Sequence, residues 1–583
     1  MTQLIYACER NPAGDFLETL VSGVADRVAP EVEGIGAHRM ERSPGERLCL
    51  VRPAEAGQSR ALQPGVAGLV GVLTQGDTTW SQLGETAPEG SFALVRSTAD
   101  HVELRTDFTG SRSLWYAFDA QHLFASTSLR ALMALLPGRQ LDRSALAWFL
   151  STGSLGLEAA WDQRIRRVPA DGRVRLDRDR WTLETTSNPV VFAAEAAPRE
   201  VWRARLQAAT EHAIQTSDVF RDGWILPLSG GLDSRMLLVS LLAQGHRPRT
   251  VTWGQAASQA QPGNDAWVAS KLALHFGLPH EYRLTEKGSG SAESMVDAFL
   301  ATHGGTTDSI PSYLDGMAMW REFAREGVQG IIRGDQGFGF TPRPAKLAQY
   351  AVGLLVAQEF LPREQVLALG EGLPEIPDLL QQQPGESEGT YMDRLYHAFR
   401  MPIGLAALND VKAPFVEIAN PMLFRSVQSL IRALPDDLRF DRSLHREIVE
   451  SVSPAIPFAS VSADDNDWIF LHAPAFESWM RQELAGDACG WLLPEGLRQD
   501  LIGSLNGAPS VAGPAQRLRS LVKRVLPDAW VNALRARMPP WRPPMRLFAF
   551  RAALAGRLMG QWERDQRALQ GSWNQARPGG FQA

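Results

Sequence analysis

The stretch Leu228-Ser229-Gly230-Gly231-Leu232-Asp233-Ser234 constrains this chain more than any other. Ahead of it, Trp224-Ile225-Leu226-Pro227 is a short apolar run that reads as a strand, and behind it Arg235 to Leu242 reads as a helix. Pro227 donates no ladder bond, so the strand should end or bulge there. A strand, a glycine turn and a helix N-terminus in that order let the backbone approach a ligand closely and offer free N–H groups to an anion. The serines add hydroxyl donors. Asp233 would repel a phosphate unless a cation stood between them, which points to Mg²⁺ on a polyphosphate. The loop therefore proposes nucleotide chemistry, although the Gly-x4-Gly-Lys-Ser/Thr phosphate loop and its lysine are absent.

Strand and helix alternate after this loop. Thr250 to Trp253 reads as a second strand, Asp265 to Phe276 as a helix, His280 to Leu284 as a third strand and Val328 to Ile332 as a fourth. That alternation predicts a parallel α/β sheet with its ligand beyond the carboxyl ends of the strands. Ser229, the Trp253-Gly254 turn and Arg333-Gly334-Asp335 should converge on one crevice, under mobile loops at 254–263 and 286–294. Helices dominate from Tyr391 to about Gln499, after a polar, exposed segment at 374–390.

The first 190 residues or so differ in kind. Short apolar runs such as Gly68 to Leu73, Phe92 to Val95 and Val102 to Thr106 predict a mostly antiparallel β domain. An Ala/Glu/Pro-rich linker follows at 188–198. A length of 583 residues implies two or three domains. We place them at 1–195, 196–510 and 511–583. From Gln516 to Ala583, thirteen Lys/Arg face three Asp/Glu, about +10, so the remainder carries about −16 of the net −6. Trp530, Trp541, Trp562 and Trp573 punctuate this tail, which is expected to be a solvated helix or a docking surface for a partner protein. The net charge argues against a nucleic-acid partner. No signal segment or membrane-length apolar run occurs, and Cys8, Cys49 and Cys489 lack metal-ligand spacing. A cytoplasmic protein without membrane insertion is expected.

The glycine loop resembles the pyrophosphate loop of N-type ATP pyrophosphatases. Its surroundings narrow the resemblance to the asparagine synthetase superfamily over about residues 60 to 460. Asp265 with Ala269, Ala273, Gly277 and His280 follows that family's second-helix pattern, Pro414-Phe415-Val416-Glu417 is similar to its Pro-Phe-Leu-Asp element, and Asp107 to Tyr116 with Phe124-Ala125-Ser126 is similar to its glutaminase-like domain. Gly334-Asp335-Gln336-Gly337-Phe338-Gly339 looks like a shortened second acidic loop. The fold so implied is α/β: a glutaminase-like antiparallel β domain, an ATP-pyrophosphatase synthetase domain with a parallel sheet, and a helical C-terminal region.

Two departures shape the functional expectation. Glutaminases of this family use an N-terminal cysteine, but position 2 is Thr2, and Cys8 reads as a buried strand residue. Ammonia from glutamine is therefore not expected, and an amine on the substrate takes its place, as in the β-lactam and lasso peptide macrolactam synthetases that this architecture resembles. The family's pyrophosphate lysine falls near Ser460 to Ser462, where no basic residue stands, leaving Arg333, Arg446 and Lys346 as candidate cations. Asp464-Asp465-Asn466-Asp467 reads as a solvated loop or an anchor for a substrate amine. His280, His303 and His445 read as structural.

What the resemblance implies is ATP- and Mg²⁺-dependent amide formation by carboxylate adenylation, joining an Asp or Glu side chain of a precursor peptide to its N-terminal amine in lasso peptide biosynthesis. Leu228 to Ser234 would hold pyrophosphate, Asp233 and Asp335 the metal, and the backbone near Leu228 and Trp253 the adenine. Gly334 would complete the nucleotide site, and Arg333 would join the two aspartates in catalysis. A leader-binding protein and a leader peptidase would be partners. The alternatives are a synthetase acting on a small amino acid and a non-catalytic nucleotide-binding scaffold.

Overall fold

In the first strand, Leu4, Tyr6 and Cys8 face one apolar layer while Ile5 and Ala7 face another, the period-2 signature of a strand buried on both sides. The structure, a computed structural model, describes residues 3–12, 15–29, 38–51, 58–62, 64–74, 79–84, 87–217, 222–285, 290–335, 337, 376–463, 468–506 and 545–575, with 354, 364–365 and 369. Twelve described strands build the N-terminal half: β1 (Gln3–Glu9), β2 (His38–Ser43), β3 (Glu46–Val51), β4 (Gln58–Leu62), β5 (Gly65–Leu73), β6 (Gly90–Ser97), β7 (His101–Thr106), β8 (Trp115–Phe118), β9 (His122–Ser126), β10 (Ile165–Arg167), β11 (Gly172–Asp177) and β12 (Thr182–Ser187). They form two six-stranded sheets, in orders β10-β8-β9-β1-β3-β2 and β12-β11-β7-β6-β5-β4, and every pairing between these strands is antiparallel. One apolar layer fills the space between them. The helices Phe16–Val28 and Leu129–Leu135 cover the far side of the first sheet. Cys8 is a buried strand residue, as expected, and its sulfur accepts a hydrogen bond from Arg178 Nη1 at 3.3 Å.

The second unit is a five-stranded sheet, β13 (Trp224–Pro227), β14 (Arg249–Gly254), β15 (His280–Leu284), β16 (Gly330–Ile332) and β17 (Glu417–Ala419), in order β15-β14-β13-β16-β17 with every neighbour parallel. The strand does end at Pro227, but Leu228 N–H carries the ladder one step further to Val251 O at 2.8 Å. The helix behind the loop spans Leu232–Ala243, so Asp233 and Ser234 stand in its first turn. The chain is thus α/β, with two antiparallel sheets, one parallel sheet and many helices.

Three expectations change. The 188–198 stretch is docked: Ala193 and Glu195 donate to the carbonyls of Arg432 and Ala433, and Arg439 lies 4.8 Å over Phe192. The loop at 254–263 is tied down, with Ala256–Ala260 in a 3-10 turn and Gln255 N–H on Ala463 O at 3.0 Å. The described part of the C-terminal region, 545–575, is not a solvated helix. Met545–Gln575 forms a 31-residue helix whose Trp562 is 1% exposed and donates to Met133 O. Two of its arginines pair within the chain, Arg551 with Asp308 at 2.7 Å and Arg557 with Asp297 at 2.6 Å. Asp565 receives Arg27 and Arg130 from the N-terminal unit at 2.8 and 2.7 Å. The helix therefore clasps both units. Among the described residues no helix is long and apolar enough to cross a membrane.

Asp565 is 1% exposed. Asp565→Ala would leave Arg130 without its carboxylate, and it should lower the free energy of unfolding by about 3 kcal/mol, seen as an earlier denaturant midpoint. Arg567→Ala breaks only an exposed helical pair and should move the midpoint by less than about 0.5 kcal/mol.

Candidate functional site

The glycine loop holds its shape through its own hydroxyls. Ser234 Oγ accepts from Ser229 N–H at 3.0 Å and lies 2.9 Å from Ser229 Oγ, which in turn accepts from Gly231 N–H at 3.2 Å. Gly230 N–H donates to Asp265 Oδ1 at 2.9 Å, and burial raises that carboxyl above its ordinary value. A side chain at 230 would collide with Ala459 and Val268. No side chain caps the following helix, which leaves the N–H groups of its first turn for a ligand. The serines thus shape the loop first and serve as ligand donors second.

Beyond the strands lies a cavity of about 440 Å³. Leu228, Ser229, Gly231, Leu232, Asp233 and Ser234 line it from the loop, Trp253 from the end of β14, and Arg333, Gly334 and Asp335 from the chain leaving β16. Gly230 is one step removed, its amide turned to Asp265. Asp335 accepts from Arg333 Nη2 at 2.8 Å and from Asn420 Nδ2 at 2.7 Å. Gly334 is pressed on the first loop, since a Cβ there would lie 2.7 Å from the carbonyl carbon of Asp233. Both carboxylates therefore open on the cavity that the loop amides line, a donor set that suits Mg²⁺ held partly by protein and partly by phosphate oxygens. Among the described residues no group of three or more His, Cys, Asp or Glu could hold a metal unaided.

Residues 459–461 reach the loop but contribute backbone. Ala459 N–H donates to Gly230 O, Ser460 N–H to Gly263 O, and the Val461 carbonyl accepts from Asp265 N–H. Arg235 fastens this wall: its guanidinium bonds the Ile456 and Pro457 carbonyls and lies 4.1 Å over Phe458. Of the three candidate cations, Arg333 lines the cavity, Arg446 instead stacks 5.7 Å over Phe458, and Lys346 lies outside the described residues. Thr2, Gln336, Phe338, Gly339 and the Asp464–Asp467 cluster lie outside them too.

Sequence reasoning missed four groups here. His445 Nε2 sits 3.2 Å from Asp233 Oδ1, so it is a neighbour of the site and not merely a packing residue. Arg442 lines the cavity with a backbone φ of +57°, and Asp441 before it has φ +49°. Asn420 supports Asp335. Lys412 is 4% exposed, 6.0 Å from the rings of Tyr313 and Trp320, and burial pushes its pKa well below the ordinary lysine value. No spacing rule announces any of these, because each arrives from a helix or turn far along the chain. His280 Nδ1 lies 2.9 Å from Thr250 Oγ1 at the start of β15. Burial pushes His303 down to about 3, and its Nδ1 accepts from Thr306 N–H.

The Asp107 to Tyr116 segment serves docking. Asp107 accepts from the N–H groups of Phe92, Thr109 and Ser111, fixing a turn that directs Arg112 and Ser113 outward. Arg112 forms a buried ion pair with Glu417 on β17, and Ser113 Oγ donates to Asp410 at 2.5 Å.

No protein-family model and no curated protein matches the chain. Among solved structures it is similar to one described as the allosteric regulatory enzyme of purine biosynthesis, at 11% identity and a TM-score of 0.22 over 48% of this chain and 80% of that one. It is also similar to glutamine phosphoribosylpyrophosphate amidotransferase from B. subtilis complexed with ADP and GMP, at 10% identity and a TM-score of 0.22 over 56% of this chain and 89% of that one. Likeness of this size carries no argument about activity.

Burial pushes the Asp410 carboxyl up from 3.8 to about 6. Between those values the folded state holds a proton that the unfolded chain has released, so stability falls as pH rises from about 4 to about 6 and stays lower above it. Asp410→Asn removes this loss. Its stability relative to the native chain should improve by up to about 3 kcal/mol from pH 4 to pH 7, and a difference that stays flat in denaturant titrations would refute the burial argument.

Proposed function

We propose that the chain is an ATP-dependent, AMP-forming amide ligase and, more finely, a macrolactam synthetase that closes a precursor peptide between an acidic side chain and the N-terminal amine. One observation carries the general reading: the glycine loop, Asp233, Asp335 and Arg333 share one cavity at the carboxyl ends of a parallel sheet. The finer reading rests on the resemblance to lasso peptide synthetases.

In this reading ATP lies with its phosphates on the loop and its adenine toward Leu228 and Trp253. A substrate carboxylate oxygen attacks the α-phosphorus, the bond to the β-phosphate oxygen breaks, and pyrophosphate leaves. The amine of the same molecule then attacks the acyl carbon, AMP departs with the bonding pair, and the amine loses one proton. Asp233 and Asp335 would hold Mg²⁺, which when bound neutralises phosphate charge. The unclaimed N–H groups after Gly231 and the Arg333 guanidinium favour the departing anion. His445 and Asn420 hold the two carboxylates in place.

Exchange of labelled pyrophosphate into ATP tests the reading directly. It should appear with a linear precursor peptide and not with free glutamine or aspartate, and its absence with every peptide and amino acid tried would end both ligase readings. Asp233→Ala and Asp335→Ala should each lower the exchange rate by at least about a hundredfold, the scale of losing a key electrostatic contact. Gly334→Ala adds no charge, yet its methyl meets the Asp233 backbone, and a loss of about tenfold or more is expected.

A further inference from the structure

We propose that His397 is a positioning residue of the acidic loop: it holds Gly337, and through it Asp335, for the binding of Mg²⁺ and pyrophosphate, an assignment that rests on the nucleotide reading above. The chain leaving β16 is fixed first by Arg333 N–H on Ala419 O at 2.8 Å, and Asp335 then accepts from Arg333 and Asn420. Beyond Asp335 it is gripped again. The Gly337 carbonyl accepts from His397 Nε2 at 2.8 Å. A Cβ at 337 would lie 2.6 Å from that nitrogen and 2.9 Å from Gln428 Oε1, so only a bare backbone fits the grip. Two residues of chain span at most about 7 Å, so an anchor at Gly337 restrains Asp335 closely.

The imidazole is set up for that one bond. His397 is 1% exposed, and burial, with Arg432 beside it, pushes its pKa down to about 3, so the ring is neutral at any working pH. Arg432 Nε donates to Nδ1 at 3.2 Å, which leaves the ring hydrogen on Nε2, the atom that meets Gly337. Arg432 lies 4.0 Å over Phe108 of the N-terminal unit, and Phe192 from the docked 188–198 stretch meets the imidazole edge-on at 5.0 Å. His397 stands in a wide-turned π helix, Tyr396–Leu405, a rare conformation that often marks functional sites. Tyr396 opens that helix near the two carboxylates: burial first, and then the charge of Asp335, push its hydroxyl up to about 12. The π helix therefore stands beside the site with one residue and grips the loop with the next.

The test titrates full-length protein with inorganic pyrophosphate plus Mg²⁺ and, separately, with AMP by calorimetry, in the native chain and in His397→Leu, His397→Gln and Gly337→Ala. His397→Leu should bind pyrophosphate with Mg²⁺ about ten- to a hundredfold more weakly, the scale of a misplaced catalytic group, with AMP affinity unchanged. A Gln amide can accept from Arg432 and donate to Gly337 as the imidazole does, so His397→Gln should restore most of the loss. Gly337→Ala keeps His397 but pushes the loop off it, and it should show the same selective loss even where His397→Leu fails to fold. Native pyrophosphate affinity in His397→Leu or Gly337→Ala, an equal loss of AMP and pyrophosphate, or no recovery in His397→Gln overturns the assignment. A native chain that binds neither ligand overturns the nucleotide reading itself, and the assignment with it.

Discussion

The parallel pairing of β13 with β16, with Trp224 opposite Gly330 and Ile225 opposite Ile331, decides where every candidate catalytic group stands. Parallel neighbours end on the same side of the sheet, so the chain leaving Pro227 and the chain leaving Ile332 emerge next to each other. Only a residue without a side chain fits between them, and Gly334 is that residue. The close approach brings two carboxylates onto one cavity, an arrangement that like charges resist. Arg333 and Asn420 hold Asp335, and His445 holds Asp233. Each carboxylate is thereby oriented before any ligand arrives, the preorganisation that electrostatic catalysis depends on.

The N-terminal unit contributes to that order from behind. Its Asp107 turn delivers Arg112 to Glu417 and to the Ile418 carbonyl on β17, the strand beside β16. Both members of the pair are nearly inaccessible, at 3% and 2% exposure, so removing either would strand a charge in a low-dielectric interface. Asn409 reaches back to the Ser111 carbonyl at 3.1 Å, and Phe108 lies under Arg425 and Arg432 at 4.6 and 4.0 Å. The N-terminal unit thus packs against the edge of the parallel sheet. Its buried Cys8 is bonded to Arg178 in the sandwich and stands apart from the cavity lining.

The parts of this fold that rest on local pattern were legible in the sequence. Apolar runs at 68–73, 92–95 and 102–106 are strands, and the run around Ser229 is a strand, a turn and a helix, because side-chain period and glycine chemistry act within a few residues. β17 escaped notice because three residues, Glu417 to Ala419, carry no period at all, and one of them is a charge whose partner is some three hundred positions away. The same limit hid Arg442 and His445, since a left-handed turn built from Asp and Arg has none of the glycine that marks such turns. The basic tail misled for a different reason. Counting charge from Gln516 onward records arginines but not the acidic partners on other helices, and Arg551 and Arg557 find theirs in Asp308 and Asp297.

That C-terminal helix also bears on access to the cavity. Phe16–Val28, Leu129–Leu135 and Arg143–Thr152 pack on it from one unit, and Pro474–Ala485, Asp487–Leu492 and Glu495–Ser504 from the other side of the chain. Parting the units would expose Trp562, Phe548 and Phe550 to water and separate Asp565 from two arginines. Burying an aromatic side chain is worth about 1.5 to 3 kcal/mol each, so opening at the interface would lose several such contributions at once. Entry through the loops beyond β13, β14 and β16 breaks none of them. The clasp therefore leaves the carboxyl edge of the parallel sheet, where Asp233 and Asp335 line the cavity, as the face at which the two units need not part for a ligand to enter.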